Sequence, residues 1–139
     1  MAANTTPIFG KTPKQAFAII AAANTARDGS GSLVTLFTAG ADGSRIDFIT
    51  FISAQAAVGA SALRICRVYV TDLAGANPLL RAEISLAATT SSNTAVGAIS
   101  TLTFTNGLLL ESGQIVKVSQ SIYGGVADTT HVWGQGSHY

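Results

Sequence analysis

Short apolar and β-branched runs recur along this chain, separated by clusters of Gly, Asn, Asp and Ser. That spacing predicts strands rather than helices. Eight runs stand out, at 16–22, 33–39, 45–54, 62–71, 79–88, 98–105, 114–123 and 130–135, and none sustains a 3.6-residue period. Asp42-Gly43 between the second and third runs and Asn106-Gly107 after the sixth have the chemistry of tight hairpin turns, which need positive φ. The breaks at 28–32, 72–78, 89–97 and 124–125 read as looser connections.

The fifth run alternates cleanly, with Leu80, Ala82, Ile84 and Leu86 against Arg81, Glu83 and Ser85. This predicts a strand with one dry and one wet face. The seventh run repeats the pattern, with Val116, Val118 and Ile122 opposite Lys117, Ser119 and Ser121. The third and fourth runs differ, because both parities are apolar: Ile46, Phe48 and Ile52 against Ile49 and Phe51, then Leu63, Ile65 and Tyr69 against Cys66, Val68 and Val70. A sandwich strand buries only one face in the core. The other must be covered by the chain's own loops or by another subunit, since an open Ile49/Phe51 patch is an aggregation hazard. The expectation taken forward is a subunit contact near 45–54 and 62–71 that includes Ile49, Phe51, Arg64, Arg67 and Tyr69.

Eight short strands with irregular connections predict an all-β, two-sheet β-sandwich, with an eight-stranded jelly roll its most natural form. An immunoglobulin-like sandwich is the alternative, disfavoured by the missing Cys…Trp…Cys signature. At 139 residues the chain fits one domain at 16–139 that can bury a core without disulfides. Residues 1–15 have a different character, with Pro7 and Pro13, three threonines and the isolated apolar pair Ile8 and Phe9. They read as an extended arm, either frayed or laid on a neighbour through Ile8 and Phe9. Thr130 to Tyr139 is expected to complete a sheet.

Composition sharpens the picture. Charged residues are 11% of the chain against about 25% in an ordinary soluble domain, as expected if much of the surface meets protein. Net charge is +1 and the eight cations are scattered, without the basic patch that nucleic-acid binding needs. Lys11 and Lys14 ahead of 16–23 imitate a signal peptide, but the apolar stretch is brief and Pro13 precedes it. No segment reaches the ~20 apolar residues of a membrane span, so a soluble chain made in the cytoplasm is expected. Cys66 is the single cysteine and reads as a small hydrophobe.

Candidate chemistry is thin, and no catalytic, metal or cofactor site is assigned. His131 and His138 lack a usual zinc-ligand spacing. Asp128, His131 and a serine could form a triad only on paper, because no Gly-x-Ser-x-Gly elbow exists. Asp28-Gly29-Ser30-Gly31 and Asp42-Gly43-Ser44 are turn fragments that lack a full calcium ligand series. Nothing joins Glu83 and Glu111 into a glycosidase pair. Trp133, Tyr69, Tyr123 and Tyr139 are the aromatics that a sugar-binding groove would draw on.

Thr5-Thr6-Pro7-Ile8-Phe9, Thr12-Pro13-Lys14, Asn24-Thr25-Ala26-Arg27-Asp28-Gly29-Ser30-Gly31 and the stretch from Leu33 to Ile46 resemble small virion proteins of tailed bacteriophages, the capsid decoration (cement) proteins. The likeness is best over 5–46 and weaker at Leu108 to Gly113. It implies a β-sandwich that trimerises on the outer capsid face and ties capsomers of the major capsid protein together by many modest symmetric contacts. It carries no catalytic residues. The alternative function is a carbohydrate- or receptor-binding module of a head or tail fibre, which an aromatic-lined groove would favour. A hydrolase is a third reading, requiring His131 beside a serine and a carboxylate.

Overall fold

The computed structural model describes residues 10–54, 59–92, 94–125 and 128–139. Ten strands are present and no α-helix occurs among the described residues: β1 (Thr12–Ile20), β2 (Val34–Thr38), β3 (Ser44–Ser53), β4 (Gly59–Ser61), β5 (Arg64–Val70), β6 (Leu79–Leu86), β7 (Thr89–Ser91), β8 (Ile99–Leu110), β9 (Ile115–Gln120) and β10 (Thr130–His138). Two four-stranded antiparallel sheets, β1-β10-β3-β8 and β2-β9-β5-β6, pack face to face as a β-sandwich, with β4-β7 a short separate ribbon. The pairs β1·β10, β2·β9, β3·β8, β4·β7 and β5·β6 are nested one inside the next, all antiparallel. The chain is therefore one long double ribbon, turned at β5·β6 and rolled up. Cross-contacts β10·β3 and β5·β9 then close the two sheets.

The core lies between the sheets. Ala16, Ala18 and Ile20 of β1, Ile49 and Phe51 of β3, Val132 of β10, Cys66 and Val68 of β5, Leu86 of β6 and Val116 and Val118 of β9 meet there. Ala82, Ile84 and Leu86 turn inward as the fifth run's alternation requires. In β9 the strand ends at Gln120, whose fully buried side chain takes the next inward position, while Ile122 lies outside and exposed, contrary to its expected dry face.

Neither expected hairpin site joins paired strands: Asp42-Gly43 makes a tight turn, but it carries the chain from β2 in one sheet to β3 in the other. Gly43, at φ +91°, donates its N–H to Gly40 O at 3.0 Å and closes the β2–β3 turn. Asn106-Gly107 instead sits inside β8, where 104–107 bulge opposite Asp47 before pairing resumes at Leu108–Ile46. The chain passes from β8 to β9, in the opposite sheet, through a turn at Ser112-Gly113, closed by Gln114 N–H to Glu111 O. The arm also needs correction, because residues 12–15 belong to β1. Pro13 pairs opposite Ser137 on a sheet edge, where its missing N–H disrupts no ladder. Ile8 and Phe9 lie outside the described residues.

At one end of the sandwich the core is polar. Arg64, 1% exposed, donates from Nε to Thr130 Oγ1 (2.9 Å), from one terminal nitrogen to Ala62 O (3.0 Å) and Asp128 Oδ1 (3.4 Å), and from the other to Ser53 Oγ (3.1 Å). Asp128 also accepts from Ala62 N–H and Gly124 N–H, both at 2.8 Å. Gln120 Nε2 donates to Asp128 O at 2.9 Å, and Thr130 Oγ1 donates to Gln120 Oε1. A guanidinium supplies five donors in a fixed fork, so one side chain ties β3, β5 and β10 together while its charge is answered by Asp128.

Candidate interaction face

The two sheets treat their outer faces in opposite ways. On β5 and β9 the outward residues are roofed by the chain itself. The segment between β1 and β2 crosses over, pinned by Asn24 N–H to Gln120 O at 2.8 Å. Asn24 braces that segment internally, donating to Ser30 O and Ser32 O and accepting from Ala26 N–H. Beneath it, Arg67 donates to Asn24 O (2.8 Å) and to Glu83 Oε1 (2.7 Å), and the Tyr69 hydroxyl donates to Ala26 O (3.0 Å). Arg27 reaches Glu83 from above at 2.6 Å. The second apolar side of the fourth run is thus covered by a loop.

The outer face of β1-β10-β3-β8 has no such roof among the described residues. Its register aligns three rows across four strands: Gln15, Gln135, Phe48, Thr103; then Phe17, Trp133, Thr50, Thr101; then Ile19, His131, Ile52, Ile99. Phe17 is 69% exposed, Ile19 59% and Ile99 63%, which leaves large apolar groups at both margins in water. Between them Trp133 meets Phe48 edge-on, ring centroids 5.4 Å apart, and Thr50 bonds Thr101 at 2.9 Å. The Trp133 indole N–H is buried without a hydrogen-bond partner among the described residues. A shallow groove of about 390 Å³ runs between Phe17, Ile19, Ile52, His131 and Trp133. None of the twelve positions carries Asp, Glu, Lys or Arg.

The third strand is therefore two-sided, but its sides are exchanged relative to expectation. Ile49 and Phe51, both 0% exposed, face the core, and Phe48 and Ile52 form the open side. The register irregularity between Ile46 and Phe48 puts Ile46 on the inward side with Ile49 and Phe51, a switch no strict alternation shows. Ile49, Phe51, Arg64, Arg67 and Tyr69, expected as subunit contacts, are all buried within the single chain. Phe17, Ile19, Ile99 and His131 hold the exposed positions instead, with half-buried Trp133 between them. Their signal is present as the outward parity of 16–22, 98–105 and 130–135.

Trp133 and Tyr69 are not brought together: Trp133 lies on this face, whereas Tyr69 is buried under the 23–32 crossing on the opposite sheet. The serine–histidine contact that the structure contains joins Ser44 Oγ to His138 Nδ1, with Gly40 N–H donating to the same hydroxyl. Ser44 is 0% exposed, so no substrate reaches it. Burial, and secondarily the Lys14 charge, hold His138 below its usual value. A histidine so depressed takes up its proton more readily when unfolded, so its contribution to stability is present above pH ~6.5 and lost as pH falls. Denaturation midpoints of wild type should therefore drop between about pH 7.5 and about pH 5, and His138→Gln should flatten part of that slope.

Burial pushes the Cys66 thiol up to about 12 against the pull of Arg64 and Arg67, which leaves it inert at neutral pH. Asp28 accepts from the Ser30 N–H and hydroxyl in a local turn, and no group of three His, Cys, Asp or Glu side chains gathers among the described residues. Glu83 is engaged by Arg27 and Arg67. No protein-family model, curated protein or solved structure matches the chain.

Proposed function

We propose that this chain is a structural virion subunit, a decoration or cement protein that binds the outer capsid surface of a tailed bacteriophage as a homotrimer and strengthens contacts between capsomers. The observation that carries the reading is the open patch of twelve positions without Asp, Glu, Lys or Arg on the outer face of β1-β10-β3-β8, bordered by the exposed Arg45–Asp47 pair, with Phe17, Ile19 and Ile99 in water. The largest exposed apolar patch of a soluble protein is often functional, and protein association is one such use. A chain with 11% charged residues has little other means of staying dispersed than having that face covered.

Two further features support the reading. The nested antiparallel pairing of the strands supports reading the sandwich as a jelly roll, an architecture used by viral capsid proteins and by lectins. Fold alone does not assign function, so the weight stays on the face and on the resemblance of 5–46 to phage decoration proteins. The carbohydrate- or receptor-binding alternative draws on the groove beside Trp133, whose unpartnered indole N–H could meet a hydroxyl. Sugar recognition also needs several convergent polar groups, and this groove is walled mainly by Phe17, Ile19, Ile52 and Val132.

The test is attachment. Purified chain mixed with undecorated phage shells should co-sediment with them, and multi-angle light scattering of the free protein should give the mass of three 14.2 kDa chains. Failure to bind any shell, together with retention on a glycan array, would favour the fibre-module reading.

A further inference from the structure

We infer that the groove on the outer face of β5 and β6 seats a carboxylate side chain, Asp or Glu, of the protein to which this chain attaches. The assignment rests on the reading above, in which that protein is the capsid shell. Register builds the groove, of about 360 Å³: Arg67 of β5 stands opposite Glu83 of β6, and Ile65 opposite Ser85. The 23–32 crossing adds Arg27 above them. Charge is out of balance here. Arg45 has Asp47 and Arg64 has Asp128, whereas Arg27 and Arg67 divide one carboxylate between them. Glu83 gives Oε2 to Arg27 at 2.6 Å and Oε1 to Arg67 at 2.7 Å, so two cations face one anion whose oxygens are both taken. Asp28, beside Arg27 in the crossing, is turned onto the N–H and hydroxyl of Ser30. Asp72, in the loop from β5 to β6, is turned onto Ala74, Ala76 and Asn77. The exposed Arg81 of β6 adds a further positive charge close to Glu83 along the strand.

Donor supply points the same way. Arg67 is the fixed half of the site: its buried side chain is held through Nε by Glu83 and through one terminal nitrogen by Asn24 O at 2.8 Å. Its other terminal nitrogen has no partner among the described residues. Arg27 is the exposed half and bonds Glu83 through a single terminal nitrogen, which leaves the rest of its fork open. A guanidinium matches a carboxylate by two parallel N–H donors, a geometry that an ammonium or a neutral donor lacks. Donors already ordered by the fold lose little entropy on binding. Half-buried Ile65 beside them lowers the local dielectric, which strengthens the pairing. An acidic side chain is therefore the partner group that this groove fits, and a cationic one is repelled.

Hexaglutamate peptide, titrated calorimetrically into the whole chain at low ionic strength, is the probe, with hexalysine and heparin as counter-probes. Co-sedimentation with undecorated phage shells is scored separately, and circular dichroism reads folding. The variants are Arg27→Glu, at an exposed position, Glu83→Gln, and Lys14→Glu as a control for the same charge change on the other sheet. Wild type and Lys14→Glu are expected to bind hexaglutamate saturably, Arg27→Glu about tenfold more weakly or worse, and Glu83→Gln more tightly because the internal competitor is gone. Absence of saturable binding, or a folded Arg27→Glu that binds like wild type, overturns the assignment. So does heparin binding that exceeds hexaglutamate binding with the same dependence on Arg27, which makes the groove a sulfated-glycan site. Shell attachment unchanged by Arg27→Glu also overturns it and leaves the decoration reading standing. The expected peptide ranking without attachment to any shell supports the carboxylate site and removes the decoration reading.

Discussion

Arg64→Ala is expected to lose about 3–5 kcal/mol of stability, the largest effect of any single polar substitution in this chain, because it strands a buried carboxylate. Asp128 would keep its bonds from Ala62 N–H and Gly124 N–H but lose its counter-charge, and Ser53 Oγ and Ala62 O would lose a donor. With a urea slope of about 2 kcal/mol/M for a domain of this size, the midpoint should fall by roughly 2 M. Arg64→Lys should recover only part, since an ammonium lacks the planar fork that spans Thr130, Ala62 and Ser53. A midpoint shift below about 0.5 M for Arg64→Ala would show that water replaces the guanidinium without penalty.

Phe51→Ala should cost about 3–5 kcal/mol by leaving a cavity between the sheets, as its ring is 0% exposed. Phe17→Ala, two-thirds exposed in the single chain, should move the denaturation midpoint of the dilute protein by no more than about 0.5 kcal/mol. The ordering should reverse when association is measured: Phe17→Ala weakens it, and Phe51→Ala leaves it intact wherever the protein still folds. Equal effects of the two substitutions on both measurements would mean that the inner and outer faces of β3 have been wrongly separated.

Much of this fold was legible in the sequence. All eight apolar runs became strands, and the clean alternation of Leu79 to Leu86 put Ala82, Ile84 and Leu86 in the core. The two strands that escaped, β4 and β7, are three residues each with sequences Gly-Ala-Ser and Thr-Thr-Ser, too short and too polar to carry a period. The start of β1 was hidden by Thr12-Pro13-Lys14-Gln15, which reads as an arm until its edge position is known. The site was half legible. Two-sided apolarity in the third run signalled a second buried or covered face, but period 2 groups residues by side and does not say which side is inner. Three apolar groups at Ile46, Phe48 and Ile52 outvoted two at Ile49 and Phe51, and the irregularity at Asp47 then moved Ile46 across. Arg64, expected at a subunit contact through its place in the fourth run, instead meets Asp128 of the same chain, as a buried arginine requires a partner.

The nesting of the ribbon has a consequence for how the molecule comes into being. Val70 faces Leu79 across a short connection, whereas Thr12 waits for His138, near the far terminus. Pairing must then spread from the middle of the chain towards both ends, and such long-range closure is slow. During synthesis Phe17 and Ile19 emerge from the ribosome early, with β10 still untranslated, so the earliest residues made are among the last to find their place in the sheet.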